Sequence, residues 1–215
     1  MFRYSIATLV VTLCVASLPA SGQVYWSFRD TDAALTGVLS ESTFMGGGRL
    51  GDLSAGGLPE LRLGLDVEAP SATDQFVWTS CEQVPFTLTF YHLQRRVVYT
   101  IGGRTLEHET SFQDIDSIFI RGYAPGDSTR VVFSEMSLDG IGVPNHYIRG
   151  PLGLRYLQLW GPAVQNGFTL TGLVKLCWAS QVPSANDLDF RIIGTKMAIV
   201  PVAESTWGGV KGLYR

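Results

Sequence analysis

Apolar and polar residues alternate with a period of two along most of this chain, which is typical of β-strands with one buried face. Residues 85–93 (PFTLTFYHL) place phenylalanine and leucine on one side and mostly threonine on the other. Residues 95–101 and 104–110 continue the alternation on either side of Gly102-Gly103. This arrangement predicts a meander of strands joined by tight turns.

The same alternation recurs in the second half of the chain, and no window of ten or more residues has an amphipathic helical pattern. Two Gly- and Ser-rich stretches, residues 36–59 and 68–75, lack periodicity and are predicted to be loops. With 24 glycines and 10 prolines between short strands, the fold class predicted is all-β, a two-sheet antiparallel β-sandwich of the jelly-roll kind. The further strands predicted are residues 117–124, 129–140, 154–162, 166–178, 188–194 and 196–202.

The N-terminal residues 1–22 have the features of a secretory signal peptide. Arg3 supplies the positive charge, and residues 6–18 are apolar but too few for a membrane span, which needs about 20. Small residues at Ala20 and Gly22 predict cleavage before Gln23. We therefore expect an exported protein whose contact with a membrane is limited to the export machinery.

After such cleavage two cysteines remain, Cys81 and Cys177. A single pair in an oxidising compartment predicts a long-range disulfide. The alternative is two free buried thiols. Zinc binding by this pair alone is not expected, because structural zinc takes four ligands.

The net charge of −3 argues against nucleic acid as a partner. No stripe of Lys and Arg runs along any segment, and only Arg95-Arg96 stand together. The expected partners are instead cell-surface or matrix components, or glycans.

Several motifs within residues 61–194 resemble the choice-of-anchor β-sandwich domains of exported bacterial proteins, most closely the type W variety. They are FQDIDSIFIRGYA, VVFSEMSLDGIGV, GLRYLQLWG, NGFTLTGLVKLCW and NDLDFRIIG. The resemblance implies an extracellular sandwich joined to a C-terminal sorting tail. It implies no catalytic residues.

The C-terminal segment agrees in part with such an architecture. Residues 23–200 form the expected sandwich domain, and residues 201–215 end in WGGVKGLYR, without the apolar span of a membrane-held sorting tail. This ending is similar to short WG-x-(I/V)-K-x-LYR endings of exported bacterial proteins. Trp207, Lys211, Tyr214 and Arg215 are therefore expected to form a sorting signal; the alternative is a terminal turn that packs on the sandwich.

No catalytic motif is recognisable in the sequence. Ser54 lies near glycines but outside a G-x-S-x-G context, and His92, His108 and His146 are far apart in sequence. P-loop, dinucleotide and H-E-x-x-H motifs are missing. We expect a protein that is not an enzyme, with a hydrolase on a jelly-roll scaffold as a distant alternative.

Two pairs of aspartates precede predicted strands, Asp114 with Asp116 and Asp187 with Asp189. Residues two apart in an extended chain face the same way, and their oxygens suit Ca²⁺. A structural Ca²⁺ is therefore possible at either pair, and no other cofactor is expected. The alternative is that these side chains close turns with their own backbone.

Aromatic residues next to polar or Gly-rich positions are the remaining candidates for a binding site. Trp160, Tyr156, Tyr123 and Tyr91 meet this description, and exposed rings of this kind bind sugars. Buried Trp and Tyr commonly fill cores instead. The leading interpretation is a non-catalytic, secreted or cell-surface domain of unknown ligand. The alternative is a carbohydrate-binding module.

Overall fold

The computed structural model describes residues 22–29, 42–50, 60–66, 69–111, 113–150, 153–179, 183 and 188–196. These residues form fourteen strands and one helical turn, α1 (Pro162–Gln165). In chain order the strands are β1 (Tyr25–Arg29), β2 (Ser42–Arg49), β3 (Glu60–Gly64), β4 (Ala72–Gln75), β5 (Val84–Tyr91), β6 (Arg96–Ile101), β7 (Arg104–Glu109), β8 (Ser117–Tyr123), β9 (Arg130–Leu138), β10 (Ile141–Gly142), β11 (His146–Arg149), β12 (Leu154–Trp160), β13 (Phe168–Cys177) and β14 (Asp189–Thr195).

The strands form two antiparallel sheets that pack face to face, which confirms the predicted β-sandwich. Sheet A has the spatial order β1-β12-β8-β14-β2-β3-β4. Sheet B has the order β10-β9-β13-β5-β6-β7, and β11 also pairs with β9. Strands that are neighbours in space are often distant in sequence, so most of the sheet pairing is long-range.

One apolar core fills the space between the sheets. Each strand sends alternate side chains inward, as the period-two pattern predicts. Sheet B contributes, among others, Phe86, Leu88, Phe90, Val97, Tyr99, Val131, Phe133, Leu170 and Val174; sheet A contributes Phe44, Leu61, Leu63, Ile118, Ile120, Leu157, Leu159, Phe190 and Ile192. Burial raises the pKa of Tyr99, which is fully enclosed here.

The prediction of loops at residues 36–59 and 68–75 is wrong in part, because β2 and β4 lie within them. β2 has the sequence STFMGGGR, so its glycines hide any alternation. They are needed for packing: a Cβ on Gly48 would come within 2.7 Å of the Trp78 ring and 2.8 Å of the Phe190 ring. The strand is therefore specified by its neighbours in sheet A.

A bulge in β9 shifts the inward-facing positions along that strand. Pairing with β13 passes from Thr171–Ser137 to Leu173–Ser134, which leaves Glu135 with a φ of 53°. Val131 and Phe133 face the core before the bulge, and Met136 and Leu138 do so after it. The local irregularity thus keeps both halves of the strand buried.

The predicted disulfide is confirmed by a bond between Cys81 and Cys177, 96 residues apart in sequence. It joins the turn before β5 to the last residue of β13, the strand that pairs with β5. The Ser80 hydroxyl donates to Trp178 O (2.7 Å) and accepts from Trp178 N (3.1 Å). On the chain-entropy account, a loop of this length stabilises the fold by about 4–5 kcal/mol.

Candidate functional site

Three turns meet at one end of sheet B and enclose a shallow surface depression of about 260 Å³. They are the β5–β6 turn, the β9–β10 turn and the turn between α1 and β13. We call this site the three-turn depression. The side chains that matter for its chemistry are Tyr91, His92, Leu93, Gln94, Asp139 and Asn166.

Backbone conformations that few residues adopt hold these turns in place. Asp139 and Gly140 both have positive φ, 48° and 83°, which is the geometry of a tight hairpin turn that suits Asp-Gly. Gly167 has a φ of 86°, and a Cβ there would come within 2.7 Å of Phe90 O. These conformations shape the two turns, and the missing side chain at Gly167 lets its turn lie close to the end of β5.

Tyr91 gives the depression an aromatic wall, since 40% of its surface is exposed. The Arg96 guanidinium carbon lies 5.1 Å from the centre of its ring, which orients the ring by a cation–π contact. Asp139 Oδ1 accepts a hydrogen bond from Thr169 N at 2.7 Å. Asp139 is the only acid among the lining residues, so the depression lacks the carboxylate pair of a glycosidase.

A planar ring flanked by amide and carboxylate groups is an arrangement that binds neutral, hydroxylated ligands. The ring supplies an apolar platform, and Gln94, Asn166 and His92 can donate or accept hydrogen bonds at its rim. The residue types in the sequence point to Tyr91 but do not indicate that the other lining residues belong to one site. The turn dipeptides Asp139-Gly140 and Asn166-Gly167 were the available signal, but no local pattern brings them together.

Trp160 is the last residue of β12 in sheet A and does not line the three-turn depression. It pairs with Tyr25 of β1, and the two rings stack with centroids 6.0 Å apart at an angle of 26°. Tyr25 and Trp26 are 43% and 52% exposed, whereas Trp160 is half-buried. Tyr25 and Trp26 are not among the predicted aromatics, although an adjacent aromatic pair at the start of the predicted domain is a signal in the sequence.

The other two predicted aromatics lie on the outer face of sheet A. Tyr156 is buried, with 1% of its surface exposed, and packs edge-on against Phe119. Its ring therefore offers no free face to a ligand in this structure. Tyr123 is half-buried beneath the Arg121 guanidinium, 5.4 Å from its centroid. The four predicted aromatics thus do not form one site.

The aspartates considered for calcium have cationic neighbours. Asp189 accepts hydrogen bonds from Arg121 (2.6 Å) and Arg191 (3.3 Å). Asp114 lies 3.7 Å from the Lys196 ammonium. Asp187 is outside the described residues, and the described ones contain no group of three or more side chains able to hold a metal ion. Positive neighbours work against a bound cation, so the arrangement gives the calcium hypothesis no support.

The three histidines lie on different elements. His92 belongs to the three-turn depression, and His146 is buried between the Phe28 and Phe133 rings, with its Nε2 3.1 Å from Arg155 O. His108 lies on β7, with its Nδ1 2.6 Å from the Ser71 hydroxyl. Burial lowers the pKa of His108, and the nearby Glu109 carboxylate acts in the opposite direction.

Several predictions fall outside the described residues: the signal peptide up to residue 21, Ser54, the strand at residues 196–202 beyond its first residue, and the tail residues Trp207, Lys211, Tyr214 and Arg215. They stay predictions. The helix formed within the described part of the chain has four residues, and none there is long enough to cross a bilayer.

No protein-family model matches this sequence, and no curated protein matches it either. The resemblance to choice-of-anchor domains is therefore an expectation that rests on the quoted motifs.

Proposed function

We propose that this chain is an exported, non-catalytic β-sandwich domain that works outside the cytoplasm by binding other molecules. The observation that carries the proposal is the Cys81–Cys177 disulfide, because such bonds persist in oxidising compartments and are rare in the cytosol. The predicted signal peptide and the resemblance to surface-anchored domains point the same way.

Export is tested by expressing the chain with its own N-terminus in a bacterial host and by fractionating the cells. We expect the protein beyond the inner membrane, shortened to begin at Gln23, with Cys81 and Cys177 oxidised on a non-reducing gel. A full-length, reduced protein in the cytoplasm would contradict the proposal.

The proposed sorting role of the tail needs a separate experiment, because export and retention are distinct steps. Deleting residues 205–215 is expected to release the protein from the cell surface into the medium without changing its disulfide. Unchanged surface retention would remove the sorting role and would leave the export proposal standing.

The second candidate function is carbohydrate binding, and the three-turn depression is the observation that favours it. Tyr91 provides the platform, and Gln94, Asn166 and Asp139 provide the polar rim. A neutral, hydroxylated oligosaccharide fits this chemistry, because amide and carboxylate groups at the rim can form hydrogen bonds with its hydroxyls while the ring contacts its apolar face.

The chain offers a matched control for this candidate. Tyr91 and Tyr147 are 40% and 41% exposed, and each ring carries an arginine, Arg149 in the case of Tyr147. Tyr147 does not line the depression. On a glycan array, Tyr91→Ala is expected to abolish binding and Tyr147→Ala to retain it. Equal loss in both variants, or no binding by the parent protein, would reject the candidate.

A further inference from the structure

Strand β1 forms one edge of sheet A, and no described strand pairs with its other side. It is exposed as well as unpaired: Tyr25 and Trp26 present 43% and 52% of their surfaces to solvent. Large exposed aromatics on an edge strand are unusual in soluble proteins, since an open edge invites pairing with another strand.

The two edges of sheet A differ in this respect. β4, at the other edge, has the polar sequence ATDQ and packs beside β7 of sheet B. β1 has the sequence YWSFR, with three aromatic residues and one charge, Arg29. β4 thus carries the features that protect an edge, and β1 carries those of a docking edge.

The sequence of β1 is complementary to itself in the antiparallel direction. Pairing two copies about a twofold axis at Ser27 places Tyr25 of each copy opposite Arg29 of the other. It also places Trp26 opposite Phe28 on the other face. In a directly opposed pair within this chain, Tyr91 of β5 and Arg96 of β6, the guanidinium carbon lies 5.1 Å from the ring centre. Aromatic and cation–π pairs across strands are favourable.

Ser27 lies at the centre of this pairing. Its hydroxyl oxygen is buried and has no hydrogen-bond partner among the described residues. That oxygen is enclosed within the single chain, so the contacts across the twofold axis are those of Tyr25 with Arg29 and of Trp26 with Phe28.

We propose that β1 is a self-association edge, through which two copies of this chain join their A sheets into one continuous antiparallel sheet. The interface is isologous, as expected of a twofold dimer. A five-residue strand buries less surface than a permanent dimer requires, so the dimer is transient, with a Kd between about 1 µM and 1 mM. The proposal is independent of the export and carbohydrate proposals.

Cysteine cross-linking tests the register directly. Directly opposed residues in an antiparallel pair have Cα atoms about 4.5–5.5 Å apart, which is within disulfide range. Ser27→Cys is therefore expected to form a covalent dimer under mild oxidation, seen on a non-reducing gel. The control, Thr73→Cys on β4, is expected to stay monomeric. No dimer with Ser27→Cys, or equal dimer in both variants, would overturn the proposal.

Analytical ultracentrifugation tests the association itself. The purified parent protein is expected to change from monomer to dimer between micromolar and millimolar concentration. Trp26→Ser should weaken the dimer by about tenfold or more, as truncation of an interfacial Trp typically does. Arg29→Glu, an exposed change that spares the aromatics, should also weaken it, whereas Leu93→Ser, at a residue that is 73% exposed but distant from β1, should not. A single monomeric species at every concentration would refute the dimer.

Discussion

The outer face of sheet A and the outer face of sheet B are built on strands of similar length, yet they differ in composition and in burial. Sheet A carries arginines, acids and large apolar side chains on this side, and many of them are enclosed. Sheet B carries rows of threonine and serine at partly exposed positions, together with exposed charged residues such as Arg96 and Glu107. The two sheets share one core, but their outer faces are stabilised differently: that of sheet A by buried contacts and ion pairs, that of sheet B by contact with solvent.

The outer face of sheet A combines a small apolar cluster with ion pairs. Phe119, Tyr156 and Ile193 form the cluster, each with 1% or less of its surface exposed. Glu60 pairs with Arg49 and Arg62, and Asp189 pairs with Arg121 and Arg191. Their side chains are 11–27% exposed. Charges so far removed from water must be paired, because an unpaired one is strongly destabilising.

The outer face of sheet B is a hydroxyl-bearing surface. One row of directly paired residues crosses five strands: Ser137, Thr171, Thr87, Thr100 and Thr105. Thr89 and Thr169 form a second paired position, with their hydroxyl oxygens 3.4 Å apart. Threonine favours strands, and its hydroxyl can bond either a neighbour or water. The hydroxyls of this face can therefore be satisfied by water and need no particular protein group as a hydrogen-bond partner.

The largest effect that would sharpen the comparison concerns the apolar cluster of sheet A. Phe119→Ala is expected to lower the free energy of unfolding by about 3–5 kcal/mol, since it empties a fully buried position. Tyr147→Ala, at an exposed position of sheet B, should cost about 1 kcal/mol or less. Urea denaturation of both variants measures the difference. Similar losses of unfolding free energy in the two variants would mean that the two outer faces contribute equally to stability.

The second effect concerns the ion pairs. Asp189→Asn leaves the enclosed Arg121 guanidinium without its carboxylate and is expected to cost about 3 kcal/mol. The matched control is Asp74→Asn, whose partner Arg104 is 3.7 Å away and 59% exposed; that change should cost about 0.5 kcal/mol or less. Chemical denaturation measures the loss of unfolding free energy in both variants. An equal, small loss at both positions would show that water screens the ion pairs of Asp189.

The third effect is an expected near-absence of change on sheet B. Thr89→Val and Thr169→Val should each alter stability by no more than about 0.5 kcal/mol, because valine favours strands as well and the lost hydroxyl contact is long. Thermal unfolding measures this. A loss above about 1 kcal/mol in either variant would show that the hydroxyl row is structurally required.

The smallest expected effect is a pH dependence of stability caused by His108, a half-buried residue of β7. Because burial lowers the pKa of His108 below its ordinary value, the unfolded chain binds a proton more readily than the folded chain. Stability should therefore decline modestly as the pH falls through about 6.5, the ordinary pKa of histidine. His108→Gln should reduce this decline in melting temperature. An unchanged pH profile in the variant would assign the dependence to other groups.

The sequence predicted sheet B better than sheet A, and the two faces explain why. In β5 (VPFTLTFY) one side is core and the other is half-open, so the alternation of residue types is regular. In β8 (SIFIRGY) and β14 (DFRIIGT) both sides are largely buried, and the apolar residues run together. Such an apolar run indicates a strand but does not show which of its sides faces the core.

The candidate sites, like the strands, could be predicted only where the signal is local in the sequence. Tyr91 and the Cys81–Cys177 pair could be named from their residue types and the compartment that the N-terminus predicts. The partners of Tyr91 in the depression, Asp139 and Asn166, come from turns 48 and 75 residues later in the sequence. The burial of Tyr156 depends on Phe119 of the neighbouring strand. Neither of these contacts can be predicted from a local sequence pattern.

What the sequence determined by itself was the all-β class, the disulfide pairing and the turns, because alternation, cysteine number and Asp-Gly or Gly-Gly pairs act over short distances or by count. What only the tertiary structure decided was the strand order, the glycine-rich β2 and the exposure of each aromatic ring. These depend on which strands lie side by side. In a sandwich most neighbours are far apart in the chain, so their contacts emerge only when the sheets assemble.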